Sequence, residues 1–265
     1  MNSISDLAPP ARDVLRPLRY AVRLPFLLVH LALALPLTLI CINPLTQRWR
    51  VAGERVDHRV IRAWSGVLLR IFGFKLRRIG TPVRGPAMFV ANHVSWIDIE
   101  LMHSQKVVGF VAKSEISRWP LIGWLASRAG TIYHHRGNNE SLNGVMHQMV
   151  ERLQQGESVG VFPEGRTTDG LTLGPFHARI FQPAVLAVTT VQPVALRFGE
   201  HGSGQASVAF GPGENFLQNF LRLLGEPSRV AEVHFLEPLE AGDQGRRWLA
   251  ERCRERIQVA MASRN

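Results

Sequence analysis

Only two cysteines occur in the 265 residues, Cys41 and Cys253. They stand far apart and form no C-x-x-C pair, which excludes a disulfide framework or a cysteine zinc site and fits a thiol-reducing compartment. Acidic residues are also few, with 21 Asp and Glu against 31 Lys and Arg and a formal charge of +10. The apolar share of 46% and the charged share of 20% exclude a disordered acidic or low-complexity chain. No G-x-S-x-G elbow is present, and neither cysteine has activating neighbours, so a covalent Ser or Cys nucleophile is disfavoured. His134 and His135 lack a third ligand at useful spacing, and no metal is expected.

The positive excess leaves nucleic acid or anionic lipid as the partner to choose between, and its distribution decides. From Gln47 to Arg84 there are ten Lys or Arg against Glu54 and Asp57, so 10 − 2 = +8 falls there. This window follows Leu24–Gln47, a run without any Asp, Glu, Lys or Arg. Basic residues flanking an uncharged apolar run read as attachment to an anionic membrane surface. No aromatic residues interleave a basic groove, so nucleic acid is not expected.

Leu24–Ile42 approaches the roughly 20 residues that cross a bilayer, although Pro25, His30 and Pro36 interrupt it. Pro36 removes a mid-helix hydrogen bond and predicts a kink. A basic stretch and no small-residue cleavage site follow, unlike a secretory signal. Over Asp57–Phe74, Val60, Ile61, Trp64, Val67, Leu68, Ile71 and Phe72 recur at helical spacing beside Arg59, Arg62 and Arg70. Such a helix suits the lipid interface or a protein core, and periodicity alone does not separate the two. The expectation is a two-helix membrane anchor over residues 1–79. If it spans once, the charge bias puts the rest on the cytoplasmic face, the inner membrane in a bacterium.

Beyond Gly80 the pattern changes. β-rich apolar runs occupy Ala87–Ala91, Val107–Ala112, Thr131–His134, Ser158–Phe162, Val191–Phe198, Ala206–Phe210 and Arg229–Leu236. Helical patterns at Ser141–Gln154, His177–Ala187 and about Asp243–Ala262 fall among or after them. Alternation of this kind predicts one α/β domain over residues 80–265, with a mixed, partly parallel sheet flanked by helices.

Two stretches carry chemistry. In Val90-Ala-Asn-His-Val-Ser-Trp-Ile-Asp98, His93 and Asp98 are five apart, too far for one helix face. They meet if His93 leaves the strand on a loop and Asp98 lies in the first turn of the next helix, with Ser95 as its N-cap. Ten histidines and six aspartates make a chance H-x-x-x-x-D about a 0.2 event, so the spacing alone says little. As a functional pair, Asp98 orients the imidazole and His93 takes a proton from an attacking hydroxyl. In Phe162-Pro-Glu-Gly-Arg-Thr-Thr-Asp-Gly170, Gly165 lets a ligand approach the backbone. Arg166 there offers a planar fork to phosphate or carboxylate.

Together the two stretches resemble blocks of the glycerolipid acyltransferase family, the lysophosphatidic acid acyltransferases in particular. Asn92-His93-Val-Ser95-Trp-Ile-Asp98 is similar to its NHxSxxD block, and Phe162-Pro163-Glu164-Gly165 to its FPEG block. Lys113-Ser-Glu115 with Pro120, Gly123, Gly130 and Arg136, and the proline-bearing strand Val191-Gln-Pro193-Val194, resemble two further blocks in the expected order. The resemblance implies acyl transfer from an acyl-CoA or acyl carrier protein thioester to the free hydroxyl of 1-acyl-sn-glycerol 3-phosphate, without a bound cofactor. His93 would be the base and Asp98 its orienter. Glu164, Gly165, Arg166 and Thr167 would bind the acceptor's polar head, with Lys113 and Arg136 joining the anionic pocket. Arginine follows Gly165 directly here, where the family most often has FPEGTRS. The Thr167-Thr168-Asp169-Gly170 ending is closer to relatives that acylate other lysolipids, such as lyso-ornithine lipid.

Overall fold

The computed structural model describes residues 13–43, 46–120, 122–135 and 139–263. Helix α1 (Arg16–Cys41) runs through both Pro25 and Pro36. A small hairpin, β1 (Arg50–Val51) with β2 (Glu54–Arg55), leads into α2 (Val56–Ile71) and strand β3 (Phe74–Ile79). Next come β4 (Met88–Ala91), α3 (Ile97–His103), β5 (Gly109–Lys113), α4 (Ile122–Arg128) and β6 (Ile132–His134). They are followed by α5 (Asn139–Gln154), β7 (Val159–Val161), α6 (Gln182–Leu186) and β8 (Val191–Phe198). The chain closes with α7 (Gln205–Val208), α8 (Phe216–Gly225), β9 (Arg229–Phe235) and α9 (Gly245–Ala262).

Seven strands form one sheet in the order β3-β9-β8-β4-β7-β5-β6, parallel throughout except between β8 and β9. This is the expected α/β architecture, a mixed and mostly parallel sheet flanked by helices. Successive strand residues face opposite sides, so Phe89 and Ala91 join one apolar layer while Met88 and Val90 join the other. The first layer lies under α2, α3 and α8 through Leu69, Leu101 and Leu223, and the second under α5 and α9 through Met149 and Leu249.

The N-terminal expectation needs correction. Among the described residues one helix segment, Arg16–Thr38, is long and apolar enough to cross a membrane. Helix α2 is not a second anchor, because its Ile61, Leu68 and Leu69 are buried in the protein and its Ser65 hydroxyl donates to Glu100 of α3 at 2.6 Å. The sheet also starts before residue 80, since β3 pairs with β9 from Phe74 onward. Part of the basic excess is tied up in ion pairs, with Arg62 on Glu54, Arg55 on Asp57 and Arg77 on Glu232. In α1 itself Leu18, Val22, Phe26, Val29, Leu33, Leu37 and Ile40 recur every three or four residues and are exposed.

Ala206–Phe210, expected as β-rich, begins instead within the short helix α7. Strand β8, which it follows, already has β4 and β9 on its two sides. The Gln205 side chain closes the corner, accepting from Phe198 N at 2.7 Å and donating to Leu196 O at 3.2 Å.

In β7, Gly160 makes room for a ring: a Cβ there would stand 2.6 Å from Phe110 Cε1 and 2.8 Å from Val108 Cγ2. Gly160→Ala is therefore expected to lower unfolding stability by about 1–3 kcal/mol, read from the denaturant midpoint at unchanged slope.

Candidate active site

The carboxyl ends of the neighbouring parallel strands β4 and β7 build the site, where open α/β sheets bind their ligands. Where β4 ends, Asn92 continues its pairing with β8 by side chain, donating to Leu196 O at 3.0 Å and accepting from Leu196 N at 2.8 Å. The backbone is thereby free to turn, and His93 leaves the sheet. Its ring stacks on Phe162 at 3.9 Å and 11°, and Phe162 stacks on Phe110 at 4.9 Å and 4°.

The five-residue spacing closes as a tight turn. Asp98 lies in the first turn of α3, fully buried, and its Oδ2 stands 2.8 Å from His93 Nδ1. The same oxygen accepts from Val94 N at 2.6 Å and Ser95 N at 2.9 Å. A carboxylate only accepts, so Nδ1 carries the proton and the Nε2 lone pair is left for chemistry. Half of the expected capping arrangement forms. The Asp98 carboxylate reaches back to the Ser95 N–H, one half of a capping box, while the Ser95 hydroxyl lies 3.3 Å from Asn219 Oδ1.

The turn after β7 is stitched to His93 from both sides. Glu164 Oε1 accepts from His93 N at 3.1 Å and Oε2 from Gly174 N at 2.9 Å. Thr168 N donates to His93 O at 2.9 Å, and Thr168 Oγ1 does so at 3.3 Å. Glu164 is 6% exposed, and burial raises its carboxyl above the ordinary value. Gly165 has φ +69°, and a Cβ there would lie 3.3 Å from the His177 ring. Arg166 is exposed and Thr167 half-buried on the same turn.

The sequence-predicted residues His93, Asp98, Glu164, Gly165, Arg166 and Thr167 thus come together. Lys113 ends β5, the strand beside β7, and is exposed on the same edge of the sheet. Arg136 lies outside the described residues. Both Glu164 oxygens are occupied by backbone N–H groups, so this carboxylate holds the His93 backbone. Sequence reasoning missed Phe162 as the platform for the imidazole, and Asn219 behind the turn. An aromatic residue at a strand end was visible; nothing marked Asn219. Among the described residues no group of three or more His, Cys, Asp or Glu is placed to hold a metal ion.

An acyltransferase family model matches residues 75–197. Over 217 residues the chain is 34% identical to a lyso-ornithine lipid O-acyltransferase of Pseudomonas aeruginosa, covering 81% of this chain and 84% of that protein. The chain belongs to the lysolipid acyltransferase family. This acyltransferase is also 30% identical to a lyso-ornithine lipid O-acyltransferase of Brucella abortus, over 90% of the chain and 94% of that protein. To a 1-acyl-sn-glycerol-3-phosphate acyltransferase of Neisseria meningitidis it is 37% identical, over 55% of the chain and 57% of that protein. The crystal structure of the 1-acyl-sn-glycerophosphate acyltransferase of Thermotoga maritima has the same fold. Its TM-score is 0.72 at 19% identity, over 93% of this chain and 96% of that one. The region matched by the family model contains His93, Asp98 and Glu164, and Asn219 lies beyond it.

The raised Glu164 carboxyl has a pH consequence. Its contribution to stability is complete below the ordinary value of 4.5 and is lost as pH rises through the raised value. Glu164→Gln should flatten stability against pH above 4.5. The variant should also be less stable by about 1–3 kcal/mol, because an amide nitrogen faces one of the two backbone N–H groups. Denaturant titrations at a series of pH values read both effects.

Proposed function

We propose that this O-acyltransferase moves a fatty acyl group from an acyl thioester to the free hydroxyl of lyso-ornithine lipid, with His93 as base. The observation that carries the chemistry is the Nδ1–Oδ2 contact of 2.8 Å between His93 and a fully buried Asp98. His93 Nε2 takes the hydroxyl proton as the oxygen attacks the thioester carbonyl. The tetrahedral intermediate then collapses, the C–S bond breaks, and the imidazolium returns the proton to the departing thiolate. Asp98 fixes the tautomer and stabilises the imidazolium. No acyl-enzyme is needed, and the thioester of CoA or acyl carrier protein enters as a co-substrate.

Two observations support the acceptor. Lyso-ornithine lipid acyltransferases match this chain over 81% and 90% of its length. The turn after Gly165 also reads Arg166-Thr167-Thr168-Asp169. In this reading the ornithine carboxylate meets Arg166 and Thr167, with Lys113 adding to the cationic rim. A second reading is 1-acyl-sn-glycerol 3-phosphate as acceptor, favoured by the 37% identity to the Neisseria meningitidis enzyme over 146 residues. Its phosphate would use the same rim.

The exposed apolar stripe of α1 suits attachment to the bilayer that holds the substrate. The cleft lined by Arg70 and Arg78, together with Arg59 and Arg62 that share the single Glu54 carboxylate, keeps an excess of positive charge that suits its anionic headgroups. The basic excess after α1 favours the cytoplasmic face.

Purified protein assayed with acyl-CoA and acyl carrier protein donors against both lysolipids is expected to favour lyso-ornithine lipid. Preference for the phosphate acceptor overturns that choice. His93→Ala should lose about 10²–10⁴-fold in turnover while still unfolding cooperatively, and retained transfer would sink the mechanism. Val29→Lys with Leu33→Lys should release the protein from sedimenting vesicles without altering its unfolding. Undiminished sedimentation would show that the stripe does not face lipid.

A further inference from the structure

Asn219, on helix α8, is buried with 0% exposure. A buried amide has two lone pairs and two N–H groups to satisfy, and Asn219 satisfies all four. Its Oδ1 accepts from Ser95 Oγ at 3.3 Å and Trp96 Nε1 at 3.0 Å. Its Nδ2 donates to Ala209 O at 3.3 Å and Glu214 Oε2 at 2.9 Å. An indole N–H only donates and a carboxylate only accepts, so the amide has one orientation. Arg222, 2.7 Å from Glu214, holds that carboxyl down to about 2 and keeps it an acceptor. Arg222 also donates to Ser207 O and Ala209 O, which ties the far side of the amide to a braced loop.

Both groups that reach Oδ1 belong to the turn between His93 and Asp98. From inside the turn, Asp98 Oδ2 holds the N–H groups of Val94 and Ser95. From outside, Asn219 holds the side chains of Ser95 and Trp96. The Trp96 ring is packed in the same direction, 5.4 Å from Phe220 and 5.6 Å from Phe216 on α8. We propose that Asn219 is a positioning residue for acyl transfer, fixing through Ser95 and Trp96 the turn that brings the Asp98 carboxylate to His93 Nδ1. It touches no reacting atom. The proposal rests on His93 acting as the base. A misplacement of about 1 Å in such a pair lowers turnover by about 10²-fold, and the surfaces that bind donor and acceptor are left unchanged.

The test compares full-length wild type, His93→Ala, Asp98→Asn, Asn219→Ala and the Asp98→Asn/Asn219→Ala double variant. Each is assayed on both lysolipids, with thermal unfolding as a check of the fold. Asn219→Ala is expected to lower kcat about 10–100-fold, with KM for donor and acceptor within about 2-fold of wild type. In the Asp98→Asn background the same change should cost less than about 3-fold, because the contact it positions is already weakened. A kcat within about 3-fold of wild type, a loss confined to KM, or an equal loss in both backgrounds overturns the proposal. Activity retained by His93→Ala would overturn the base reading instead, so the two failures are distinguishable. If Asn219→Ala does not fold, Ser95→Ala/Trp96→Phe removes the same two hydrogen bonds from the turn and is judged by the same criteria.

Discussion

One oxygen organises the site. Asp98 Oδ2 gathers the imidazole Nδ1 and two consecutive backbone N–H groups within 2.9 Å, and a buried carboxylate requires partners of that kind. Those three donors draw His93 to Asp98 into a tight turn, so α3 begins at Ile97, shortly after β4 ends at Ala91. Ser95 does not cap the helix with its hydroxyl, which is bound to Asn219 Oδ1 instead. The freed hydroxyl turns outward. A second axis crosses the first, the column of Phe110, Phe162 and His93 rings, for which Gly160 leaves the space. The imidazole is fixed by a hydrogen bond along one direction and by stacking along the other.

The parts of this architecture legible in the sequence are those set by local patterns. Val191–Phe198 is read as a strand because apolar residues dominate it, and β8 has all eight residues buried, Gln192 and Arg197 included, as a central strand buried on both faces must. Of the two edge strands, β6 is read and β3 is missed. Strand β3, Phe-Lys-Leu-Arg-Arg-Ile, carries three basic residues, as an edge strand does when charge guards it against further pairing. Those same charges had suggested a membrane flank. Helix α2 misleads in a related way: its apolar stripe fits lipid or protein equally, and only the presence of α3 and the sheet beneath it decides.

The site shows the same division. His93, Asp98 and Glu164 could be named from short motifs, but what Glu164 does could not. Whether a carboxylate meets a ligand or two backbone N–H groups depends on a turn folded from residues 93 and 174, neither of them near it in sequence. Asn219 was beyond reach for the same reason, lying 124 residues from Ser95 in a segment whose local pattern is an ordinary amphipathic helix with an Asn215–Gln218 capping box. The departure after Gly165 was legible, yet the motifs alone led to 1-acyl-sn-glycerol 3-phosphate as acceptor, and the relatives include acyltransferases of both kinds.

Helix α8 finally connects the turn between His93 and Asp98 to the apolar helix α1. The last carbonyls of a helix have no partner within it, and here α1 supplies several. Tyr20 donates to Leu221 O, Arg19 to Gly225 O, and Arg23 to Leu224 O and Glu226 O. Pulling α1 away from the domain would strand those carbonyls and unpack Leu27 and His30, both buried. One side of α1 is therefore taken up by protein, and the stripe from Leu18 to Ile40 is left for an apolar surface. A helix held in this way does not act as a loose tether. Its outer face is thereby tied, through α8 and Asn219, to the turn that carries His93 and Asp98.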